Sequence, residues 1–148
     1  MSNPAKVFLI DDQASVRDAL GELLRVFGFN VETFVSADAF LENIDARASG
    51  CVVADVRMPG MDGITLVGEL SRRNSALPVV LISGHADVPM AVAAIKAGAE
   101  DFIEKPVDDA QLVAAVNRGL SRFMAETALA KTADLVVENF ARLTPRQV

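Results

Sequence analysis

The chain has 148 residues, the size of one ordinary domain with a short extension. Fourteen Lys and Arg against 20 Asp and Glu leave a formal net charge of −6, which argues against a nucleic-acid phosphate-backbone binder, since that needs a basic face. Hydrophobic residues make up 51% of the chain, enough to bury a real core and to exclude intrinsic disorder. No apolar run approaches the roughly 20 residues of a membrane helix, and the opening MSNPAKVFLIDD lacks a signal peptide's layout. A single cysteine, Cys51, permits no internal disulfide, and a single histidine, His85, rules out a His/Cys zinc cluster. The expectation is an acidic, cytoplasmic α/β domain with no membrane association.

Taken in chain order, short apolar runs alternate with longer amphipathic stretches. Val7 to Ile10 is a continuous apolar run that stops at Asp11-Asp12. Val16, Leu20, Leu23, Leu24 and Phe27 then share a helical face, with Gly28 as the stop. Val31 to Phe34 reads as a short strand, and Ser36 as the N-cap of a helix over Ala37 to Ile44. Cys51 to Ala54 is a second buried run, ending at Asp55, followed by a helix marked by Ile64, Leu66, Val67 and Leu70. Val79 to Ile82 ends at Ser83, and a fourth helix runs from near Pro89 to Gly98. Asp101 to Glu104 reads as an edge strand closed by Lys105. Asp108 can cap a fifth helix carrying Leu112, Val113, Val116 and Leu120. Phe27, Phe29 and Phe40 are expected to pack in the core, and Cys51 to act as a buried hydrophobe.

Non-alternating β-branched runs suit strands buried on both faces, and five strands each followed by a helix predict a doubly wound, five-stranded parallel α/β sheet. The boundary is expected at 124: residues 1–124 form that domain, and 125–148 a C-terminal helical linker. In the latter segment three basic and three acidic residues balance, so the net charge resides in the first part. Leu129, Ala133, Val136, Phe140 and Leu143 alternate four- and three-residue steps. That seam suits either a helix packed on its own domain or a linker and dimer seam.

In a doubly wound sheet, ligands bind beyond the carboxyl ends of the strands. Asp11, Asp12, Asp55, Ser83 and Lys105 all stand there, so five residues remote in sequence are expected in one pocket. Three converging carboxylates repel each other unless they hold a hard divalent cation, typically Mg²⁺ with waters and phosphate oxygens. A Lys and a small hydroxyl add a charge and a donor for phosphoryl oxygens. The set describes phosphoryl transfer to or from a carboxylate, with Asp55 as the best nucleophile. Singly, each residue reads as a turn, a cap or a solvated charge; the set of five carries the inference.

Over Lys6 to Phe123 the chain resembles the receiver domain of bacterial two-component response regulators. The resemblance rests on Leu9-Ile10-Asp11-Asp12, Asp55 to Gly63, Ile82-Ser83-Gly84-His85, Lys96 to Ala99, and Asp101 to Pro106. Gly84 to Val92 is similar to the FixJ-like branch, and Leu143-Thr144-Pro145-Arg146 to the opening of a LuxR-type helix-turn-helix domain. The resemblance implies a flavodoxin/CheY-like strand order of 2-1-3-4-5. It implies phosphorylation of Asp55 by a sensor histidine kinase, switching dimerisation and transcription through a DNA-binding output domain absent from this chain. Asp12, Asp55 and the backbone carbonyl of Arg57 would hold Mg²⁺ directly, with Asp11 acting through water; Mn²⁺ can take its place. Lys105 and Ser83 would bind the phosphoryl oxygens, and Ser83 and Phe102 would form the switch. A homodimer would form through the fourth helix, fifth strand and fifth helix. Pro106 matches a position where the preceding peptide is often cis.

Several positions keep two readings. Phe102 is a switch aromatic or an edge-strand core residue. His85 influences the lifetime of the phosphoryl group or caps a loop, and Arg57 is a rim gate or a solvated charge. Gly84 leaves room for the phosphoryl group or permits a turn. The chain is expected to be a switch rather than an enzyme, with only self-phosphotransfer and autodephosphorylation. An aspartyl phosphohydrolase of the haloacid-dehalogenase type would resemble D-x-D after the first strand, where this chain has Asp11-Asp12-Gln13. A phosphorylation-independent interaction module would have lost members of the five-residue set.

Overall fold

The computed structural model describes residues 6–45, 47–85 and 87–127. Its elements are β1 (Lys6–Ile10), α1 (Ala14–Val26), β2 (Asn30–Phe34), α2 (Ala37–Asn43), β3 (Cys51–Asp55), α3 (Gly63–Arg72), β4 (Val79–Ser83), α4 (Val88–Ala97) and β5 (Asp101–Glu104). A further helix, α5, covers 109–127. The five strands form one sheet in the order β2-β1-β3-β4-β5, and every pairing is parallel. The expected strand order is therefore observed. The expected linker seam and the Leu143 to Arg146 segment lie outside the described residues; beyond the expected boundary only residues 125–127 are described, as the last residues of α5.

The two faces of the sheet explain why the strand sequences do not alternate. Phe8, Ile10, Val52, Ala54 and Leu81 point to one face, where they join Phe40 of α2, Leu66, Val67 and Leu70 of α3, and Ala94 of α4. Val7, Leu9, Cys51, Val53, Val80, Ile82 and Ile103 point to the other, against Leu24 of α1 and Leu112, Ala115, Val116 and Leu120 of α5. Both alternating sets meet helices, so every position of β3 and β4 is buried. The edge strands differ: β2 has three of its five residues exposed, and in β5 Ile103 alone is fully buried.

The helix ends follow local chemistry. Ser36, Asp62 and Asp87 cap α2, α3 and α4 by accepting from Ala39, Thr65 and Met90 N–H. Asp108 accepts from Gln111 N–H at the start of α5 (2.9 Å). Three helices end alike, with a left-handed residue after the last turn: Gly28 (φ 93°), Asn74 (φ 58°) and Gly98 (φ 110°). Around Gly28, its own N–H donates to the Arg25 carbonyl and the Phe29 N–H to the Leu24 carbonyl.

That motif corrects one expectation. Phe27, assigned to the core face of α1, is 52% exposed. It occupies the cap position, and the left-handed turn at Gly28 reverses the chain so that Phe29, two residues on, packs against the Leu24 side of the core. Phe29 and Phe40 pack as expected, Phe40 among Phe8 and Phe34 with ring centroids 5.5 and 5.2 Å away.

Candidate functional site

The order reverses between β1 and β3, and the carboxyl ends of these strands open side by side at the switch point. Ile10 pairs with Ala54, so Asp11 and Asp55 each stand one residue beyond that pair on adjacent strands. Asp55 in turn pairs with Ile82 of β4, and Ser83 pairs with Glu104 of β5. The Lys105 N–H continues that ladder by donating to the Ser83 carbonyl (2.8 Å). Register alone thus delivers four of the five expected residues to one edge, and Asp12 follows Asp11.

Ligand oxygens of Asp11, Asp12 and Asp55 all lie within 4.8 Å of one another. Asp11 and Asp55 are 2% and 7% exposed, Ser83 is fully buried, and Asp12 faces solvent. Lys105 Nζ lies 3.4 Å from Asp55 Oδ2. Burial pushes the Asp11 carboxyl above its usual range, with the Gln13 N–H drawing it back, Asp55 adding to the rise, Lys105 opposing it and Asp12 adding to it. An all-oxygen donor set of this spacing fits a hard divalent cation such as Mg²⁺.

The loops complete the frame. The Asp11 carboxylate accepts the Gln13 N–H (2.9 Å), and its backbone carbonyl accepts from the Arg17 guanidinium (2.7 Å). The Arg57 N–H points at Asp55 Oδ1 at 3.4 Å, while the Arg57 side chain is exposed at the rim. The His85 N–H donates to Ser83 Oγ (3.1 Å); its residue is exposed. Gly84 stands in a bend after β4 without a left-handed φ, so no backbone strain reserves the position for glycine. A Cβ there would meet only Lys105 Cδ at 3.6 Å, an ordinary contact on the pocket side. The Lys105–Pro106 peptide is cis, as the resemblance implied.

Phe102 does not join the carboxylates. It is half-buried on β5, packed against the core cluster that holds Ala94, and lines an open depression of about 620 Å³ with Asp87, Val88, Ala91, Glu104, Lys105, Pro106 and Gln111. Lys105 therefore borders both the acidic pocket and this depression.

Two further residues, Arg17 and Gly63, shape the site. Arg17 sits in the first turn of α1, where a cation opposes the helix dipole; that mismatch is a readable signal. Gly63 begins α3 with its N–H on the Val56 carbonyl (2.9 Å), and a Cβ there would lie 2.7 Å from the Asp55 carbonyl oxygen. Only the folded backbone reveals that approach.

Residues 7–117 match the response regulator receiver domain family. The chain is 40% identical over 147 residues to the transcriptional regulatory protein FixJ of Bradyrhizobium diazoefficiens, covering 99% of this chain and 72% of that protein. It is 39% identical over 148 residues to the response regulator protein TodT of Pseudomonas putida, covering 99% of this chain and 65% of that one. Among solved structures, the response regulator StyR superimposes with a TM-score of 0.88 at 42% identity, over 97% of this chain and 73% of that one.

Proposed function

The chain belongs to the response regulator receiver family, and from that premise we propose that it accepts a phosphoryl group on Asp55 from the phosphohistidine of a sensor histidine kinase. The observation that carries this reading is the pairing of a buried Asp55 with Lys105 at 3.4 Å, beside the carboxylates of Asp11 and Asp12. An Asp55 oxygen attacks phosphorus as the bond to the donor histidine breaks, leaving an acyl phosphate and a neutral imidazole. The Lys105 ammonium and the Ser83 hydroxyl, flanking Asp55 on the sheet edge, bind the phosphoryl oxygens. Asp11, Asp12, Asp55 and the Arg57 carbonyl would hold Mg²⁺, which when bound offsets the charge of the phosphoryl oxygens. Arg57 and His85, at the rim, modulate the lifetime of the phosphoryl group.

The output is a change of association. Val88, Val92 and Ile95 form a stripe on α4 at 76%, 44% and 53% exposure, beside the depression that Phe102 lines. Phosphorylation draws Ser83 toward Asp55, Phe102 turns inward, and the α4–β5–α5 face pairs two copies. The transcriptional designation of the FixJ relative supports DNA control through an output domain, with this module acting in the cytoplasm. No helix among the described residues is long and apolar enough to cross a membrane. In this reading the domain is a switch with self-phosphotransfer and autodephosphorylation only, and no substrate turnover.

Incubation with acetyl phosphate and Mg²⁺, followed by intact mass, tests the assignment. One phosphoryl addition is expected, absent in Asp55→Asn and suppressed by EDTA. Undiminished labelling of Asp55→Asn sinks it, and turnover of many phosphate esters favours a hydrolase.

A further inference from the structure

We infer that Arg17 is a positioning residue for the acidic pocket: its guanidinium holds the backbone of Asp11 so that the Asp11 and Asp12 carboxylates face Asp55. The inference rests on the cation-binding reading of that pocket. Three observations carry it. The Arg17 Nη1 donates to the Asp11 carbonyl at 2.7 Å, a short charge-assisted bond across six residues. The helix that bears Arg17 has no side-chain N-cap, and no acidic residue occupies its first turn. Backbone bonds fix the Asp11 N–H on the Phe34 carbonyl (3.2 Å) and the Arg17 N–H on the Gln13 carbonyl (2.9 Å), while the side-chain bonds of this turn are the Arg17 guanidinium on the Asp11 carbonyl and the Gln13 N–H on Asp11 Oδ1 (2.9 Å). Finally, Arg17 stands where the helix dipole disfavours a cation, so its place there is explained by what it grips rather than by the helix.

Asp11 and Asp12 are adjacent on this turn, and one is buried while the other is exposed. Rotation of the Asp11 peptide moves both carboxylates relative to Asp55. Groups that orient ligands from behind typically change metal affinity about 10- to 100-fold when removed.

The sign of the effect separates positioning from plain charge. If Arg17 were only a nearby cation, its loss would strengthen binding of a divalent ion to the carboxylates. If it positions them, its loss weakens binding. Mg²⁺ alone is titrated calorimetrically into the full chain, its Arg17→Ala and Arg17→Lys variants, and each is melted in EDTA to confirm folding. Arg17→Ala is expected to bind about tenfold more weakly, and Arg17→Lys, which keeps a donor and the charge, to recover most of that loss. Should Arg17→Ala fail to fold, Arg17→Met retains the apolar stem without donor or charge and is read the same way. Unchanged or tighter Mg²⁺ binding by the alanine or methionine variant overturns the inference. Absence of Mg²⁺ binding by the unaltered chain instead overturns the pocket reading beneath it.

Discussion

Lys105 Nζ stands 3.4 Å from Asp55 Oδ2 across 50 residues of sequence. That separation exceeds the roughly 2.7–2.9 Å of a tight charge-assisted bond, so the ammonium is near its carboxylate without being closed upon it. The same ammonium can then turn to an oxygen added to Asp55. Lys105→Ala leaves the buried Asp55 without its cation and is expected to lower metal-free stability by about 1–3 kcal/mol. Mg²⁺ restores most of that stability, while labelling by acetyl phosphate stays slower than in the unaltered chain. Denaturant melts with and without Mg²⁺, alongside intact mass against time, check both halves.

Removal of a carboxylate has the opposite sign. Asp12→Ala relieves repulsion among three acids whose oxygens lie within 4.8 Å. It is expected to raise the melting temperature in EDTA and to abolish most of the gain that Mg²⁺ gives by binding the native state alone. A metal-free loss of stability on this substitution shows that the cluster is held for another reason.

Val92→Asp tests the association face. The side chain lies in the exposed stripe of α4 and outside the acidic pocket, so phosphoryl addition is expected to proceed unchanged. Sedimentation with phosphodonor is expected to show dimers for the unaltered chain and monomers for Val92→Asp. Dimers in both place the contact elsewhere.

The core residues test how far the sequence could be read. Phe40→Ala is expected to cost about 3–5 kcal/mol, and Phe27→Ala under about 0.5 kcal/mol, in denaturant unfolding. Equal costs would contradict the exposure of Phe27. The buried runs at Val7, Cys51 and Val79 announce a sheet covered on both faces because each ends abruptly at a polar residue. Asp11, Asp55, Ser83 and Lys105 were legible for the same reason: in a parallel sheet, strand ends converge. Phe27 misled because helical periodicity does not say where a left-handed turn redirects the chain. Arg17 left one trace, a cation in the first turn of a helix, but that does not say what it grips; Gly63 left none, because its role is a close approach to the Asp55 carbonyl that only the folded backbone creates.

Cys51 supplies a pH test. Burial pushes its thiol from an ordinary 9.0 up to about 12, with Glu100 adding to the rise and Arg122 opposing it. Between those values the unfolded chain sheds the proton while the folded chain keeps it, so stability falls as pH rises above 9.0. The slope contributed is at most about 1.4 kcal/mol per pH unit. The difference between the unaltered chain and Cys51→Ala isolates it, since all other groups cancel. At pH 8 the same thiol is expected to resist a thiol-specific reagent until the chain unfolds.

One consequence follows from the path of α5. The helix starts just past Lys105 and Pro106, beside the carboxyl ends of the strands, and its far turns carry Phe123 and Thr127 against the α2–β3 and α3–β4 connections at the opposite edge of the sheet. Between these ends it is tied to β5 by Arg118 on Asp101 and to the preceding residue by Arg122 on Glu100. Asp101 also accepts the N–H of Phe102 (2.7 Å). A rigid helix held in this way would pivot on the strand that carries the aromatic. From Arg118 to Thr127 the helix spans roughly 13.5 Å, so a tilt of about five degrees about that tie displaces the far tip by about 1.2 Å.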